Sequence, residues 1–217
     1  MTVILSSTGK VKPGRYPAFL AQASEASKLY QRLGTRPPRL LTAGLAGEAF
    51  GEWTFAVEYD DLRSFGTTTD KYQADSEAQA FMMKLQEENN PSTIERVSVL
   101  VEVPIRESKG AKGRVVAVYA SKPQPGALEP ALDLAARAAV FAERNGALDA
   151  RIFSLIGNGS GTGVYLSMWE LENVASYVNV FEAFQTDKEG QAIAAEASSS
   201  NSPVVNLFEA VYSEIPI

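Results

Sequence analysis

The sequence predicts an α+β fold made of two similar units, each with the element order β-α-β-β-α-β. The first observation is a repeat: a shift of 112 residues aligns residues 1–105 with residues 113–217 without a gap. The second is that strand-like and helix-like patterns follow each other in the same order in both halves. We therefore predict two domains, residues 1–105 and 113–217, joined by a short, polar and flexible connector at 106–112. Identical residues at aligned positions include Pro13/Pro125, Gly34/Gly146, Arg39/Arg151, Glu58/Glu170 and Asp75/Asp187.

The first strand and the first helix give clear local signals. Residues 2–8 are rich in β-branched side chains and predict a strand that ends at Gly9. Apolar residues then recur at three- and four-residue steps over 16–33, which predicts an amphipathic helix. Gly34 follows where a left-handed backbone closes a helix, and Gly146 repeats this signal in the second half.

A β-hairpin is predicted next. Arg39–Leu45 and Glu52–Tyr59 are strand-like runs around a glycine-bearing loop, which indicates antiparallel pairing. Asp60 or Asp61 can cap the helix that follows, because a carboxylate accepts the free N–H groups of a first turn. In the second half the hairpin loop is the glycine-rich run 156–163. A phosphate-binding loop needs a helix after it, whereas the next residues alternate like a strand, so we predict a hairpin tip.

The second helix of each unit is predicted in two pieces. Asp75 and Asp187 fit the start of the second piece, each with a Glu two residues later that suits the positive helix end. Pro91 and Pro203 stop each helical segment before a last strand. The last strands are predicted at residues 94–103 and 205–215.

These elements give each unit a ferredoxin-like arrangement, a four-stranded antiparallel sheet with helices on one face. The other face of such a sheet must also be covered, and the sheet of the second unit can cover it. We therefore predict two fused units whose sheets pack face to face into a barrel of eight strands.

The chain resembles the dimeric α/β-barrel superfamily. The stretches 75–91, DSEAQAFMMKLQEENNP, and 187–203, DKEGQAIAAEASSSNSP, are similar to NIPSNAP-type members. A chain of this superfamily usually supplies one unit, so the resemblance implies a tandem duplication: a monomer with an internal pseudo-dimer, or a homodimer of it. The superfamily includes cofactor-free quinone-forming monooxygenases, haem-degrading enzymes and stress-response proteins.

Composition excludes several kinds of site. The chain has no His and no Cys, which rules out His-ligated haem, zinc held by His or Cys, and a Ser-His-Asp triad. We expect no cofactor and no metal. A net charge of −6 without a broad Lys/Arg stripe argues against nucleic acid as a partner. With no signal-peptide pattern and no apolar run of about 18 residues, we expect a cytoplasmic protein without a membrane partner.

Carboxylates recur at equivalent strand positions in the two halves. Such a group can act as a general base, and four together can hold a hard cation. In the structural interpretation each binds a backbone N–H group or an Arg, such as the repeated Arg39 and Arg151. Two copies of one catalytic group are seldom both required, which favours the structural role. The four carboxylates are Glu58, Glu102, Glu170 and Glu214.

Aromatic side chains share one face of the second hairpin strand in each unit. Trp53 and Tyr59 have the same parity in the first unit, and Tyr165 and Trp169 have it in the second. This face lines a pocket if it looks into the barrel, and it is core if it looks toward the helices; the pattern leaves both open. The candidate binding residues are Tyr165, Trp169, Arg151, Arg39 and Tyr59, and no catalytic residue is singled out.

Two functional hypotheses follow. In the first, the barrel encloses a pocket for a small, flat, largely apolar or aromatic molecule and performs cofactor-free oxygenation, with Tyr, Trp and Arg side chains orienting the substrate. In the second, the protein is a non-catalytic binding or stress-associated module, which the absence of His and Cys favours. The hydroxyl-rich surroundings of Trp169 place the expected pocket toward the second unit, with Trp53 mainly in the core.

Overall fold

The computed structural model describes residues 1–156 and 161–217, so part of the predicted glycine-rich hairpin tip lies outside the described residues. The chain forms two compact units. Unit 1 contains residues 1–43, 49–101 and 214–217, and unit 2 contains residues 44–48 and 102–213.

Unit 1 has a four-stranded sheet with the strand order β4-β1-β3-β2. Each neighbouring pair in this sheet is antiparallel. The predicted hairpin of β2 and β3 is confirmed with both strands at their predicted bounds. The elements are β1 (Val3–Val11), α1 (Tyr16–Arg32), β2 (Arg39–Leu45), a short 3-10 turn (Gly47–Ala49), β3 (Glu52–Tyr59), α2 (Leu62–Ala74), α3 (Ser76–Leu85) and β4 (Ser92–Glu102).

Unit 2 repeats this order, with a β8-β5-β7-β6 sheet that is antiparallel throughout. Its elements lie close to the positions of those of unit 1 plus 112 residues. They are β5 (Val115–Pro123), α4 (Leu128–Arg144), β6 (Asp149–Ile156), β7 (Tyr165–Leu171), α5 (Val174–Thr186), α6 (Lys188–Ser198) and β8 (Val204–Ile215). Each unit therefore has the strand order and the split second helix that the sequence predicts.

The helix boundaries follow from local chemistry. Asp61, rather than Asp60, caps α2, and its carboxylate accepts the Ser64 N–H at 2.7 Å. Asp75 caps α3 and Asp187 caps α6, as predicted. Gly34 has a φ of 101°, a conformation that costs glycine little and other residues more.

The first strand does not end at Gly9, so this prediction is wrong. A bulge between Thr8 and Gly9 shifts the pairing of β1 with β4, and the strand continues to Val11. A Cβ at Gly9 would lie 1.8 Å from the carbonyl oxygen of Thr93. The glycine is therefore required by a close approach of two backbones and does not mark the end of the strand. The equivalent bulge in β5 lies between Ala120 and Ser121.

The aromatic face of β3 looks toward the helices of unit 1. Trp53 packs on Phe19 of α1 with ring centroids 5.3 Å apart, and Tyr59 packs on Phe65 of α2 at the same distance. Strand β3 alternates strictly between buried residues on this face and half-buried residues on the other. The question that the sequence left open is thus answered: Trp53 and Tyr59 belong to the core between sheet and helices.

The connector is held by side chains of unit 2. Arg106 donates to the Glu143 carboxylate and to the Ala150 carbonyl, each at 2.6 Å. Fully buried Asp149 accepts the Ser108 hydroxyl at 2.7 Å. These hydrogen bonds attach the segment to unit 2, whereas its composition suggested a flexible link.

Within the described ranges, every helix is too short or too polar to cross a membrane.

Candidate functional site

A cavity of about 440 Å³ opens in unit 2, between its sheet and its helices. We call it cavity 2. The alanines of α4 and α6 are too small to fill the cavity, and aromatic side chains of β5, β7 and α5 form its walls. Its volume lies in the range of small-molecule sites.

Trp169 forms the central wall of cavity 2. Its ring lies 4.5 Å from that of Tyr119 and stacks on that of Phe184 at 5.6 Å with an interplanar angle of 8°. The residue is 5% exposed. Its indole N–H is buried and has no hydrogen-bond partner among the described residues. A buried donor of this kind is unfavourable unless another group accepts its hydrogen bond.

A polar cluster lies at the edge of cavity 2. The Tyr177 hydroxyl donates to Glu209 Oε1 at 2.7 Å. Burial raises the pKa of Tyr119 strongly, and the Glu209 carboxylate and the Tyr177 hydroxyl raise it further. Burial and the hydrogen bond to Glu209 raise the pKa of Tyr177 to about 12. Both phenols therefore stay protonated near neutral pH and can act as donors, and Glu209 accepts the hydrogen bond of Tyr177.

The Tyr119–Glu209–Tyr177 cluster can do two things chemically. A carboxylate at the edge of an apolar cavity can remove a proton from a bound molecule. Phenol groups beside it can stabilise negative charge that develops on oxygen. The three residues come from β5, α5 and β8, and Tyr119 and Glu209 are cross-strand partners in the β5–β8 register.

Unit 1 has a cavity of about 490 Å³ at the equivalent place. We call it cavity 1. Its walls include Trp53 and a group of three tyrosines. Tyr30 and Tyr72 stack with centroids 5.2 Å apart. Burial raises the pKa of Tyr30, and the neighbouring Tyr72 and Tyr59 raise it further. Cavity 1 is thus also aromatic, but it has a different set of polar groups.

The structure does not bring the predicted binding residues together. Tyr59 lines cavity 1, and Trp169 lines cavity 2. Tyr165 packs on the core cluster that contains Trp169 without being part of the cavity wall. The five predicted residues therefore do not form one common binding site.

Arg39 lies on the opposite face of the sheet from cavity 1. Its cross-strand partner is Ala56, whereas its neighbour Leu40 pairs with Phe55 and lines the cavity. The Arg39 guanidinium forms an ion pair with Glu214 at 2.8 Å. This is the structural pairing of a repeated Arg with a repeated Glu that the sequence favoured.

Arg151 has the same position in unit 2. It pairs across the strands with Met168, and its guanidinium lies 3.6 Å from the Asp149 carboxylate and 3.9 Å from that of Glu170. It also lies over the Phe153 ring at 5.2 Å. Since Trp169 faces the helices, Arg151 points away from cavity 2 and cannot orient a ligand there.

Tyr119, Tyr177 and Glu209 were not predicted as site residues from the sequence. One signal could have found them. At the aligned positions unit 1 has Ser7, Phe65 and Val97, so the residue type differs between the two units at all three positions. No residue of the cluster lies near another in sequence, which is why the signal is visible only when the halves are compared.

Metal ligands are not grouped in the described ranges. Among these residues no set of three His, Cys, Asp or Glu side chains could hold a metal ion. The four repeated carboxylates therefore do not form the hard-cation site that was one interpretation of their pattern.

Comparison with known proteins gives a structural match without a sequence match. No family model matches the chain, and no curated protein matches it. An anthrone oxidase-like protein aligns with a TM-score of 0.64 and 9% identity, over 99% of this chain and 91% of the other. A candidate monooxygenase from Fusobacterium nucleatum subsp. nucleatum aligns with a TM-score of 0.62 and 12% identity, over 99% and 93%.

A ferredoxin-fold protein from Listeria monocytogenes, related to antibiotic biosynthesis monooxygenases, aligns with a TM-score of 0.51 and 12% identity, over 100% and 96%. A chlorite dismutase and a haem-degrading enzyme are also among the similar structures. At such low identity the likeness shows the fold alone. It confirms the predicted α+β, ferredoxin-like fold.

Proposed function

We propose that unit 2 binds a small, planar, largely apolar molecule in cavity 2 and oxidises it with molecular oxygen, without a bound cofactor. The observation that carries the proposal is the Tyr119–Glu209–Tyr177 cluster at the edge of an aromatic cavity. The fold of the monooxygenase-like and anthrone oxidase-like neighbours supports it.

The proposed reaction needs a substrate whose CH₂ group is made acidic by conjugation with an aromatic ketone. Glu209 accepts one proton, and Tyr119 and Tyr177 stabilise the enolate oxygen by hydrogen bonding. The electron-rich carbanion then reduces oxygen and forms a peroxide on the same carbon. Loss of water turns this carbon into a carbonyl group, so that CH₂ and O₂ give C=O and H₂O. Electrons come from the substrate, which is why no other reductant is required.

Haem is a weaker candidate as a resident group. One structural neighbour is a haem-degrading enzyme, but this chain has no His and no Cys to ligate iron. Tyrosine can ligate haem iron only as phenolate, and the raised pKa of Tyr119 opposes ionisation. The residues of cavity 2 therefore do not fit a ligated haem.

A non-catalytic binding function is the second candidate. Cavity 1 favours it for unit 1, because Val97 stands where unit 2 has Glu209. Binding without turnover there is compatible with oxidation in unit 2. The tandem duplication, the face-to-face packing of the sheets, the NIPSNAP-type relationship and the internal pseudo-dimer or its homodimer stay predictions.

The test is oxygen consumption with anthrone as the probe substrate, at neutral pH and corrected for a blank without protein. Anthraquinone formation is followed by absorbance. Removing a general base costs about 100-fold or more in rate, so Glu209→Gln should lose most of the activity. Glu182→Gln, which changes an exposed carboxylate on α5, is the matched control and should keep it.

Two results would count against the proposal. Full activity in Glu209→Gln would exclude this carboxylate as the base. Tight binding of anthrone to the wild-type protein without oxygen uptake would leave the non-catalytic function as the better description of unit 2.

A further inference from the structure

Cavity 1 has the lining of a second binding site with its own selectivity. Among the described residues that line it, none carries a charge. Aromatic rings, alanines and uncharged polar groups make up its walls. A site without a charged group favours neutral ligands, because it cannot compensate the desolvation of an ionic one.

Trp53 supplies a hydrogen-bond donor that lacks an acceptor. The residue is 6% exposed, its ring lines cavity 1, and its indole N–H is buried without a partner in the described part of the chain. Most buried N–H groups in proteins are paired, and an unpaired one is unfavourable. A ligand that brings an acceptor, such as a carbonyl oxygen, would remove this penalty.

The tyrosines of cavity 1 add further donors. Burial raises the pKa of Tyr59 and of Tyr72 to about 12, with smaller contributions from neighbouring groups. Tyr30 is shifted upward in the same way. The three hydroxyl groups therefore keep their protons over the neutral range. Their rings also offer flat surfaces on which a planar molecule can stack.

We propose that cavity 1 binds a neutral, planar aromatic ketone or quinone whose carbonyl oxygen accepts the Trp53 indole N–H. The volume of about 490 Å³ accommodates two or three fused rings. The inference is separate from catalysis in unit 2, since it depends on the lining of cavity 1 alone.

The experiment uses NMR spectroscopy of the indole N–H groups. The chain contains two tryptophans, so the nitrogen–proton spectrum has two indole signals, and Trp169→Phe identifies that of Trp53. The probes are fluorenone, which has a ring ketone, and fluorene, which lacks it. Fluorenone should move the Trp53 signal downfield and bind about fivefold more tightly than fluorene, because it adds one hydrogen bond.

Matched variants locate the site. Ala26 lines cavity 1, and Ala138 lines cavity 2 at the aligned position. Filling cavity 1 with Ala26→Phe should weaken the fluorenone effect on Trp53 by about tenfold or more, whereas Ala138→Phe should leave it within about twofold.

The possible outcomes test the cavity 1 site separately from the proposed function of unit 2. No downfield shift of the Trp53 signal in the wild-type protein, or equal affinities for fluorenone and fluorene, would overturn the proposal whether or not the variants fold. An equal loss in both Phe variants would also reject it, because the ligand would then not be confined to cavity 1. Failure of fluorenone to bind, with anthrone still oxidised, would remove this site and leave the proposed function of unit 2 intact.

Discussion

The two cavities lie at equivalent places in two units of the same fold, yet their polar groups differ. Cavity 2 has a carboxylate between two phenols, at Glu209, Tyr119 and Tyr177. Cavity 1 has no charged wall among the residues described, and its donors are Trp53 and a tyrosine group. The same fold thus carries two different sets of polar groups, and such side chains decide what a cavity can bind or transform.

The cluster of cavity 2 depends on three aligned positions. At the positions of Tyr119, Tyr177 and Glu209, unit 1 has Ser7, Phe65 and Val97, so it lacks the carboxylate and both phenols. The pairing of β1 with β4 aligns Ser7 with Val97, as the pairing of β5 with β8 aligns Tyr119 with Glu209. Register therefore brings these strand positions together in both units, and the side chains at them differ.

The largest stability effect should come from truncation of either tryptophan. Trp53 and Trp169 are almost equally buried, at 6% and 5% exposure. Trp53→Ala and Trp169→Ala should each lower the free energy of unfolding by about 3–5 kcal/mol, measured by urea denaturation. The sequence placed Trp53 mainly in the core and Trp169 beside a pocket, which would make Trp169→Ala the less costly change, but their similar burial gives no reason for such an asymmetry. A cost below about 1.5 kcal/mol for Trp169→Ala alone would restore that asymmetry.

A smaller effect on stability should distinguish the helix pair α5 and α6 of unit 2 from the pair α2 and α3 of unit 1. Gly190 in α6 has no room for a side chain: a Cβ there would lie 2.7 Å from the Phe141 ring and 2.8 Å from the Phe184 Cα. Gly190→Ala should therefore cost about 1–3 kcal/mol through overpacking. The aligned residue in α3 is Ala78, which is fully buried, and Ala78→Gly should cost only about 0.5–1 kcal/mol.

Thermal or urea unfolding of Gly190→Ala and Ala78→Gly measures the two losses of stability. A neutral Gly190→Ala would show that α6 can move away from α5 at no cost. Because Phe184 stacks on Trp169, the fluorescence of Trp169 should also change in Gly190→Ala and stay unchanged in Ala78→Gly.

The smallest effect concerns acid stability in unit 1. The bidentate hydrogen bonds of Arg32 and the Ala78 N–H lower the pKa of Asp75 from 3.8 to about 2. A lowered folded-state pKa stabilises the fold above the unfolded value, and this contribution is lost as the pH falls from about 4 to 2. Asp75→Asn keeps an N-cap acceptor but should flatten the loss of stability in that window.

Unfolding midpoints measured across this pH range check the Asp75 prediction. Arg32→Gln should reproduce the flattening, because it removes the side-chain hydrogen bonds that contribute most to the lowered pKa of Asp75. An unchanged acid profile in both variants would mean that the exposed pair is screened by solvent.

Much of the fold could be predicted from sequence because its signals are local. The bounds of β2 and β3, the caps at Asp75 and Asp187, and the stop at Gly34 each depend on residues within a few positions of one another. The bulge at Gly9 could not be recognised in this way. Glycine is required there by the backbone of Thr93, which is distant in sequence.

The candidate site was predicted only in part. Trp169 and Tyr59 were selected as aromatic strand residues, and both line cavities. Arg39 and Arg151 were selected because they repeat, but each pairs with acidic groups on the other face of its sheet. Repetition between halves reports a shared structural role, whereas the cluster around Glu209 is found where the halves differ.

By itself the sequence determined the order of elements, the equal spacing of the two units and the absence of His and Cys chemistry. These depend on composition and on periodicity along a single segment. Tertiary structure decided which strand face meets the helices, where the cavities open and which polar groups share them. Alternation along a strand defines two faces but does not say which one is covered. Tyr119, Tyr177 and Glu209 meet because strand register and helix packing bring distant segments together, and that information lies in contacts between elements.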